Sequence, residues 1–285
     1  MRKKEMSKNI TPELIRSYAD YLIEQEKSTA TVKKYVHDLT VLGAYLAGQA
    51  MTKAVLIGWK AHIAAQYAPA SVNSMLAAMN GLLEFCGWAE LRVKPLKIQK
   101  SMFCDADKEL SRAEYIRLVS AAEQEGNRRL SLLLQTICAT GIRVSELKFV
   151  TVEAVQSGRA EISNKGKRRT VFLPDNLRRV LRKYVQTQKR TAGAVFVTRS
   201  GKPIDRSNIW RDMKALCESA GIAPGKVFPH NLRHLFARTY YSIEKDLSRL
   251  ADILGHSSVN TTRIYTIESG TIHKGQMERM GLIIT

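Results

Sequence analysis

Cysteine is scarce in this chain. The four present, Cys86, Cys104, Cys138 and Cys217, are scattered, with no Cys-x-x-Cys and no histidine at ligand spacing. That excludes a recognisable zinc site and a disulfide framework, and reads as free thiols buried for their packing. Long apolar runs are also missing. No stretch is long enough to span a bilayer, and Met1-Arg2-Lys3-Lys4-Glu5 leads into polar residues without a signal-peptide core, so a cytosolic protein with no membrane partner is expected. No Walker-type Gly-rich loop occurs and no segment repeats at a fixed period, which argues against nucleotide hydrolysis and against a solenoid. Acidic residues fall far short of basic ones, 26 against 45, for a net charge of +19 and a pI near 9.9. Such an excess calls for a polyanionic partner, nucleic acid first and an anionic membrane surface second.

What is there is an ordinary globular composition, 45% apolar over 285 residues, enough for two domains that each bury a core. From Thr11 the spacing is helical. Leu14, Ile15, Tyr18, Tyr21 and Leu22 share one face; after a cap at Ser28 or Thr29, so do Val32, Tyr35, Val36, Leu39, Leu42 and Tyr45. A third helix is predicted over 52–66 and a fourth from about Pro69 to Phe85, stopped by Gly87. Four amphipathic helices with short connections predict a small bundle over residues 1–91. The periodicity then disappears, and Lys94, Pro95, Lys97 and Lys100 mark an extended basic linker over 92–107. Residues 1–107 hold 14 Lys and Arg against 10 Asp and Glu, leaving 31 against 16 for residues 108–285. Most of the attraction to a polyanion therefore belongs to the second domain.

That domain opens with Ser111 and Glu114 in capping-box spacing. A helix to about Glu123 follows, then an apolar one through Leu130, Leu132, Leu133, Leu134, Ile137 and Cys138 that ends at Gly141. Stretches 159–162 and 170–173 read as strands, joined by Ser163-Asn164-Lys165-Gly166-Lys167-Arg168-Arg169 as a hairpin with Lys165 at or near its tip. The cations of that turn repel one another unless a polyanion lies across them. A third strand is predicted over 194–197, and helices over about 174–187, 208–220, 229–241 and 247–254. Pro229 suits a first helical position, and three residues separate His230 from Arg233, so both share a face while Leu232, Leu235 and Phe236 point to the core.

Three segments carry chemistry: Ala139-Thr140-Gly141-Ile142-Arg143-Val144-Ser145-Glu146-Leu147, Pro229-His230-Asn231-Leu232-Arg233-His234, and Leu254-Gly255-His256 with Tyr265 nine residues beyond His256. A tyrosine is a poor nucleophile unless cations lie beside it. With Lys165, these segments offer two arginines, a lysine, two histidines and a tyrosine for attack on a phosphodiester. In content, order and spacing they resemble the boxes of the tyrosine recombinases, or phage integrases. Lys27-Ser28-Thr29-Ala30-Thr31-Val32-Lys33-Lys34-Tyr35 is similar to the opening of the second helix in that family's core-binding domain. Ile142 stands where the family usually has leucine, and Asn164-Lys165-Gly166-Lys167 replaces a more common Gly-Lys-Gly, which makes Lys165 the better match for the catalytic lysine and Lys167 the fallback.

The resemblance implies a mainly α fold: an N-terminal four-helix, SAM-like core-binding domain, and a mixed α/β catalytic domain over 108–285 with a small antiparallel sheet, the DNA breaking-rejoining fold. With the bundle beginning by about Thr11, the chain looks like the simple two-domain members, Xer-type resolvases and short integrases of mobile elements. Arg143 and Arg233 would hold the scissile phosphate, Lys165 would protonate the 5′ oxygen, Tyr265 would attack, His230 would accept its proton, His256 would hydrogen-bond the phosphate, and Glu146 would orient the cations. Lys33, Lys34, Lys94, Lys97, Lys167, Arg168, Arg169 and Arg263 would contact DNA. The partners implied are double-stranded DNA at specific sites and three further copies, in a tetramer on two duplexes linked by an apolar tail with Met277, Met280, Leu282, Ile283 and Ile284. Neither metal nor cofactor is implied. Two other readings stay open: a type IB topoisomerase, with the same arginines and tyrosine, and a DNA-binding protein that keeps the clamp but not cleavage.

Overall fold

A computed structural model describes residues 8–98, 106–164, 167–266 and 277–280. The chain divides into two compact units, Met1–Lys100 and Ser101–Thr285.

In the first unit, α1 (Pro12–Glu24), α2 (Thr29–Leu46), α3 (Lys53–Gln66) and α4 (Pro69–Phe85) form a bundle. Thr11, Ser28 and Thr52 each accept a backbone N–H of the first turn, satisfying donors that a helix start otherwise leaves open. The core is Tyr18, Leu22, Leu39, Leu42, Leu56, Trp59, Leu76, Met79, Leu82 and Leu83, and each buried leucine contributes roughly 2 kcal/mol. After α4 the chain does not leave at once as a linker. Asn80 donates to the Val93 carbonyl at 2.8 Å and accepts its N–H at 2.9 Å, while Asn73 does the same for Leu96 at 2.9 and 2.7 Å. Two side-chain amides thus bind an extended segment much as a neighbouring strand would, and Val93 is buried in the bundle core. The basic composition at 94–97 concealed this docking, because the lysines point outward while Val93 and Leu96 face in.

The second unit begins with α5 (Arg112–Gln124), whose Ser111–Glu114 capping box forms in both directions. Next is α6 (Arg128–Thr140), buried on most of its circumference through Leu130, Leu132, Leu133, Leu134 and Ile137. Its buried hydroxyls are satisfied internally: Thr136 Oγ1 donates to the Leu132 carbonyl at 2.7 Å and Thr140 Oγ1 to that of Thr136 at 2.6 Å. A 3₁₀ turn (Val144–Phe149) and short α7 (Val152–Ser157) lead to β1 (Arg159–Asn164) and β2 (Lys167–Phe172), an antiparallel pair in which Ile162 faces Arg169 and Asn164 faces Lys167. The strand expected over 194–197 does not form: this stretch makes only isolated bridges, Thr151 with Ala194 and Val197 with Pro203. Val195 and Phe196 are buried, so the apolar signal came from core packing without a ladder. There follow α8 (Asp175–Thr187), α9 (Arg206–Ser219), α10 (Pro229–Glu244), α11 (Leu247–Leu254) and α12 (Val259–Thr262), then a 3₁₀ turn, Arg263–Thr266. No helix among the described residues is long and apolar enough to cross a membrane.

Candidate active site

The C-terminal end of α11 is where the site is assembled. A helix ends with carbonyls that lack intrahelical partners and carry the negative end of the helix dipole. Here three successive carbonyls each take an arginine. Ile253 accepts from Arg169 Nη1, Leu254 from Arg233 Nη2 at 2.7 Å, and Gly255 from Arg143 Nη2 at 3.1 Å. Gly255 caps the helix at φ +64°, and a Cβ there would stand 2.5 Å from Arg169 Cδ. The end of α6 does similar service: Gly141, also left-handed, offers its carbonyl to Arg233 Nη1.

Three guanidinium groups so placed repel one another, and one carboxylate is shared by two of them. Glu146, 2% exposed, accepts Arg143 Nη1 on Oε1 at 3.0 Å, and on Oε2 both Arg169 Nη2 at 2.6 Å and the Arg143 backbone N–H at 3.0 Å. Burial works to raise its pKa, but the Arg143 N–H and the Arg169 guanidinium outweigh it and the net direction is downward. Arg233, 2% exposed, has no carboxylate partner among the described residues. Burial, then Arg143, push its pKa down to about 10 while Tyr265 beside it works the other way; it stays cationic at neutral pH.

The histidines complete the cluster. Arg233 Nη2 lies 3.0 Å from His256 Nε2, and His256 Nδ1 lies 2.9 Å from Thr262 Oγ1. An arginine can only donate, so Nε2 accepts, Nδ1 carries the hydrogen and the ring is neutral. Burial and then Arg233, Arg143 and Arg169 hold its pKa down to about 4. His230 is likewise pushed down to about 4, first by burial, then by His234 and Arg233, although the residue is exposed where it lines the cleft. That cleft, about 410 Å³, is lined by Arg143, His230, Arg233 and His256 and by Arg206 and Trp210 of α9. A larger cavity of about 600 Å³, among Arg128, Arg129, Arg190 and Arg199, lies at the opposite end of α6 and holds none of these groups.

Tyr265 sits beside the cluster but does not line the cleft. It is 4% exposed, packed with Ala237, Leu250 and Leu254, with its ring edge-on to His234 at 4.9 Å and nearly parallel to His256 at 6.1 Å. Thus Arg143, Glu146, His230, Arg233, His256 and Tyr265, expected from the sequence to meet, are brought together from four elements: the 3₁₀ turn that Arg143 caps, α10, the end of α11 and the last 3₁₀ turn. Lys165 lies outside the described residues, as does the Lys167 side chain.

The residues expected to contact DNA divide. Arg168 and Arg263 are exposed, whereas Arg169, grouped by sequence with the outer cations of the hairpin, turns inward onto Glu146 because it faces Ile162 across the ladder on the buried side of the sheet. In the first unit Lys33, Lys94 and Lys97 are exposed, and Lys34 pairs with buried Asp38 at 2.7 Å. Sequence reasoning missed Thr262, Arg206, Trp210 and the inward role of Arg169; only the alternation of β2 carried a readable signal, for Arg169.

Residues 108–270 match the model of the phage integrase family. The chain belongs to that family. Residues 15–90 match its N-terminal SAM-like domain. The chain is 28% identical to the tyrosine recombinase XerA of Pyrococcus furiosus, over 97% of this chain and 96% of that one. It is 31% identical to XerD of Agrobacterium fabrum, with 85% and 86% covered. In fold it is similar to a lambda integrase tetramer bound to a Holliday junction, with a TM-score of 0.73 at 16% identity, covering 89% of this chain and 76% of that one. The family defines the enzyme class: this is a tyrosine recombinase, which cleaves and rejoins DNA.

Proposed function

We propose that the cleft over α11 takes one scissile phosphate of a specific duplex site and that Tyr265 attacks it. The observation that carries this is the imbalance of the cluster: three guanidinium groups stand together beside one carboxylate, Glu146, which pairs with Arg143 and Arg169, and Arg143 and Arg233 border an open cleft. A phosphate supplies the missing negative charge, and forked guanidinium groups match its oxygens. The Tyr265 oxygen bonds to phosphorus as the bond to the 5′ oxygen breaks. The phenolic proton passes to His230, the leaving oxygen takes a proton from Lys165, and His256, once the phosphate draws Arg233 away and Nε2 takes up a proton, donates to a non-bridging oxygen. Neutral His230 is a weak acceptor until the phosphate arrives, whose negative charge raises the basicity of the rings around it. The product, a 3′-phosphotyrosyl link with a free 5′ hydroxyl, keeps the ester energy for rejoining, so the reaction consumes no ATP. Because Tyr265 is buried and outside the cleft lining, α12 and the turn that follows must shift for attack.

Recombination requires two duplexes. We infer that four copies assemble on them in the bacterial cytosol, for integration, excision or resolution, and that the tail supplies the contact. Met277 and Met280 are 60% and 62% exposed, an apolar surface suited to a neighbour. Lys33, Lys34, Lys94, Lys97, Lys167, Arg168 and Arg263 would meet DNA phosphates.

The test is covalent capture on a library of nicked duplexes with randomised cores, in which the cleaved fragment diffuses away and traps the adduct. The wild-type chain is expected to yield a covalent protein–DNA band and a consensus site. Tyr265→Phe should yield none while still retaining DNA, and Arg143→Ala should form adduct about 10²–10³-fold more slowly. A tyrosine-dependent adduct without sequence preference, with relaxation of supercoils by a monomer, would assign the chain to type IB topoisomerase action. DNA retention without any adduct would leave a binding protein.

A further inference from the structure

Behind the cleft, α10 carries a histidine that this chemistry does not use. His234 Nδ1 lies 3.2 Å from Glu109 Oε1. If the carboxylate is ionised it can only accept, so Nδ1 carries the hydrogen. Glu109 is gripped a second time by Arg238, at 3.4 Å, and Arg238 itself donates to the Leu110 carbonyl at 2.7 Å. The other ring nitrogen, Nε2, is buried and has no hydrogen-bond partner among the described residues. Buried polar atoms are nearly always satisfied, and an exception asks for a reason. The ring's neighbours supply one. His230, one turn earlier on α10, lies 4.4 Å away at 63°, and Tyr265 lies 4.9 Å away at 87°. His234 thus stands between the group assigned as proton acceptor and the group assigned as nucleophile, held by a carboxylate on its far side, and it does not line the cleft.

We propose that Glu109 and His234 form a positioning pair for Tyr265: the carboxylate fixes the imidazole, and the imidazole sets where the phenol stands relative to Arg233 and His230. This rests on Tyr265 being the nucleophile. A ring needed only to fill space would be served as well by phenylalanine, which brings no buried nitrogen. Edge-to-face contact is directional, so a ring fixed by a hydrogen bond to a carboxylate transmits its orientation to the phenol. The pair acts through Tyr265, and DNA affinity is independent of it.

The test uses the full chain and the duplex captured by the wild type. His234→Phe keeps the ring and removes both nitrogens; Glu109→Gln keeps an acceptor oxygen, and Glu109→Leu does not. At saturating duplex, His234→Phe and Glu109→Leu are expected to form adduct at least tenfold more slowly with dissociation constants within twofold of wild type, and Glu109→Gln should recover most of the rate. A second measurement separates positioning from general damage. In a Tyr265→Phe background, hydrogen peroxide serves as an external nucleophile on the same phosphate, and adding His234→Phe should change that cleavage less than twofold. Adduct formation by His234→Phe at the wild-type rate overturns the proposal, as does an equal loss in the peroxide reaction, which would place the effect on the arginines. Should His234→Phe not fold, the Glu109→Gln and Glu109→Leu rates decide, and equal rates overturn it. An adduct formed by Tyr265→Phe would instead sink the underlying assignment of the nucleophile.

Discussion

Arg233 donates from Nη2 to Nε2 of His256 at 3.0 Å, and that one contact fixes both the charge and the tautomer of the histidine. A protonated ring would set N–H against N–H beside three guanidinium groups. The folded protein therefore keeps His256 neutral down to about pH 4, and His230 behaves alike, whereas an unfolded chain protonates its histidines near pH 6.5. The folded values are depressed, so the unfolded state binds more protons between these limits and stability falls as pH drops. Denaturant titrations at pH 7.5, 6.5, 5.5 and 4.5 should show a flat region above about 6.5 and a steady loss below it. His256→Gln should flatten that slope. The carboxylate of Glu146, whose pKa is also lowered from 4.5, begins to lose its contribution only as pH falls through that ordinary value, so it enters at the foot of this window and the slope between pH 6.5 and 5.5 belongs to the histidines.

Glu146 is the shared counter-ion of Arg143 and Arg169, and removing it leaves cations facing each other with little water. Breaking one side of a buried pair costs about 3 kcal/mol or more. Glu146→Ala is expected to lower stability by about that much, and Glu146→Gln by less, because the amide oxygen still accepts one of the two guanidinium groups. Urea melts measure both. Cleavage should fall in both variants beyond what the loss of folded protein explains, since Arg143 loses the contact that aims it.

Gly255 combines two constraints that Gly221 separates. Both adopt positive φ, +64° and +61°, but a Cβ at Gly221 meets nothing within 4 Å, whereas at Gly255 it collides with Arg169. Gly221→Ala should cost only the backbone penalty, about 1 kcal/mol. Gly255→Ala should cost more and slow adduct formation at least tenfold, because Arg169 must leave Glu146 to make room. Thermal melts and single-turnover cleavage of the two variants, compared side by side, check the difference.

How far the sequence could be read follows from what each signal depends on. Helix periodicity and local caps were legible: Ser28, the Ser111–Glu114 box and the glycine stops at 141 and 255 act within one turn and appear where the side-chain pattern puts them. The cluster was legible as a set of residue types in order. Its construction was not, because the partners of Arg143, Arg169 and Arg233 are backbone carbonyls of α11, and a carbonyl has no letter in a sequence. Nor did anything in Val93 or Leu96 announce the amides of Asn80 and Asn73. Lys165 is where sequence still leads, since its proposed place in the reaction rests on the hairpin spacing and the family resemblance alone.

The assignment of Lys165 to the leaving group makes a prediction that depends on chemistry alone. The 5′ alkoxide is strongly basic and cannot depart from phosphorus without a proton, so Lys165→Ala should slow adduct formation by about 10²–10⁴-fold, the range of general-acid effects. A 5′ thiolate, with a conjugate acid near pKa 8.5, departs unassisted. Replacing the bridging 5′ oxygen by sulfur at the scissile phosphate should therefore restore Lys165→Ala to near the rate of the wild type on the same thio duplex. Arg143→Ala should gain nothing from the sulfur, because its loss affects the charge on the non-bridging oxygens. Lys167→Ala separates the two lysines of the turn: with Lys165 as the donor it should cleave the ordinary duplex close to the wild-type rate, and a rate loss rescued by sulfur in Lys167→Ala, with none in Lys165→Ala, would move the role two residues along the hairpin.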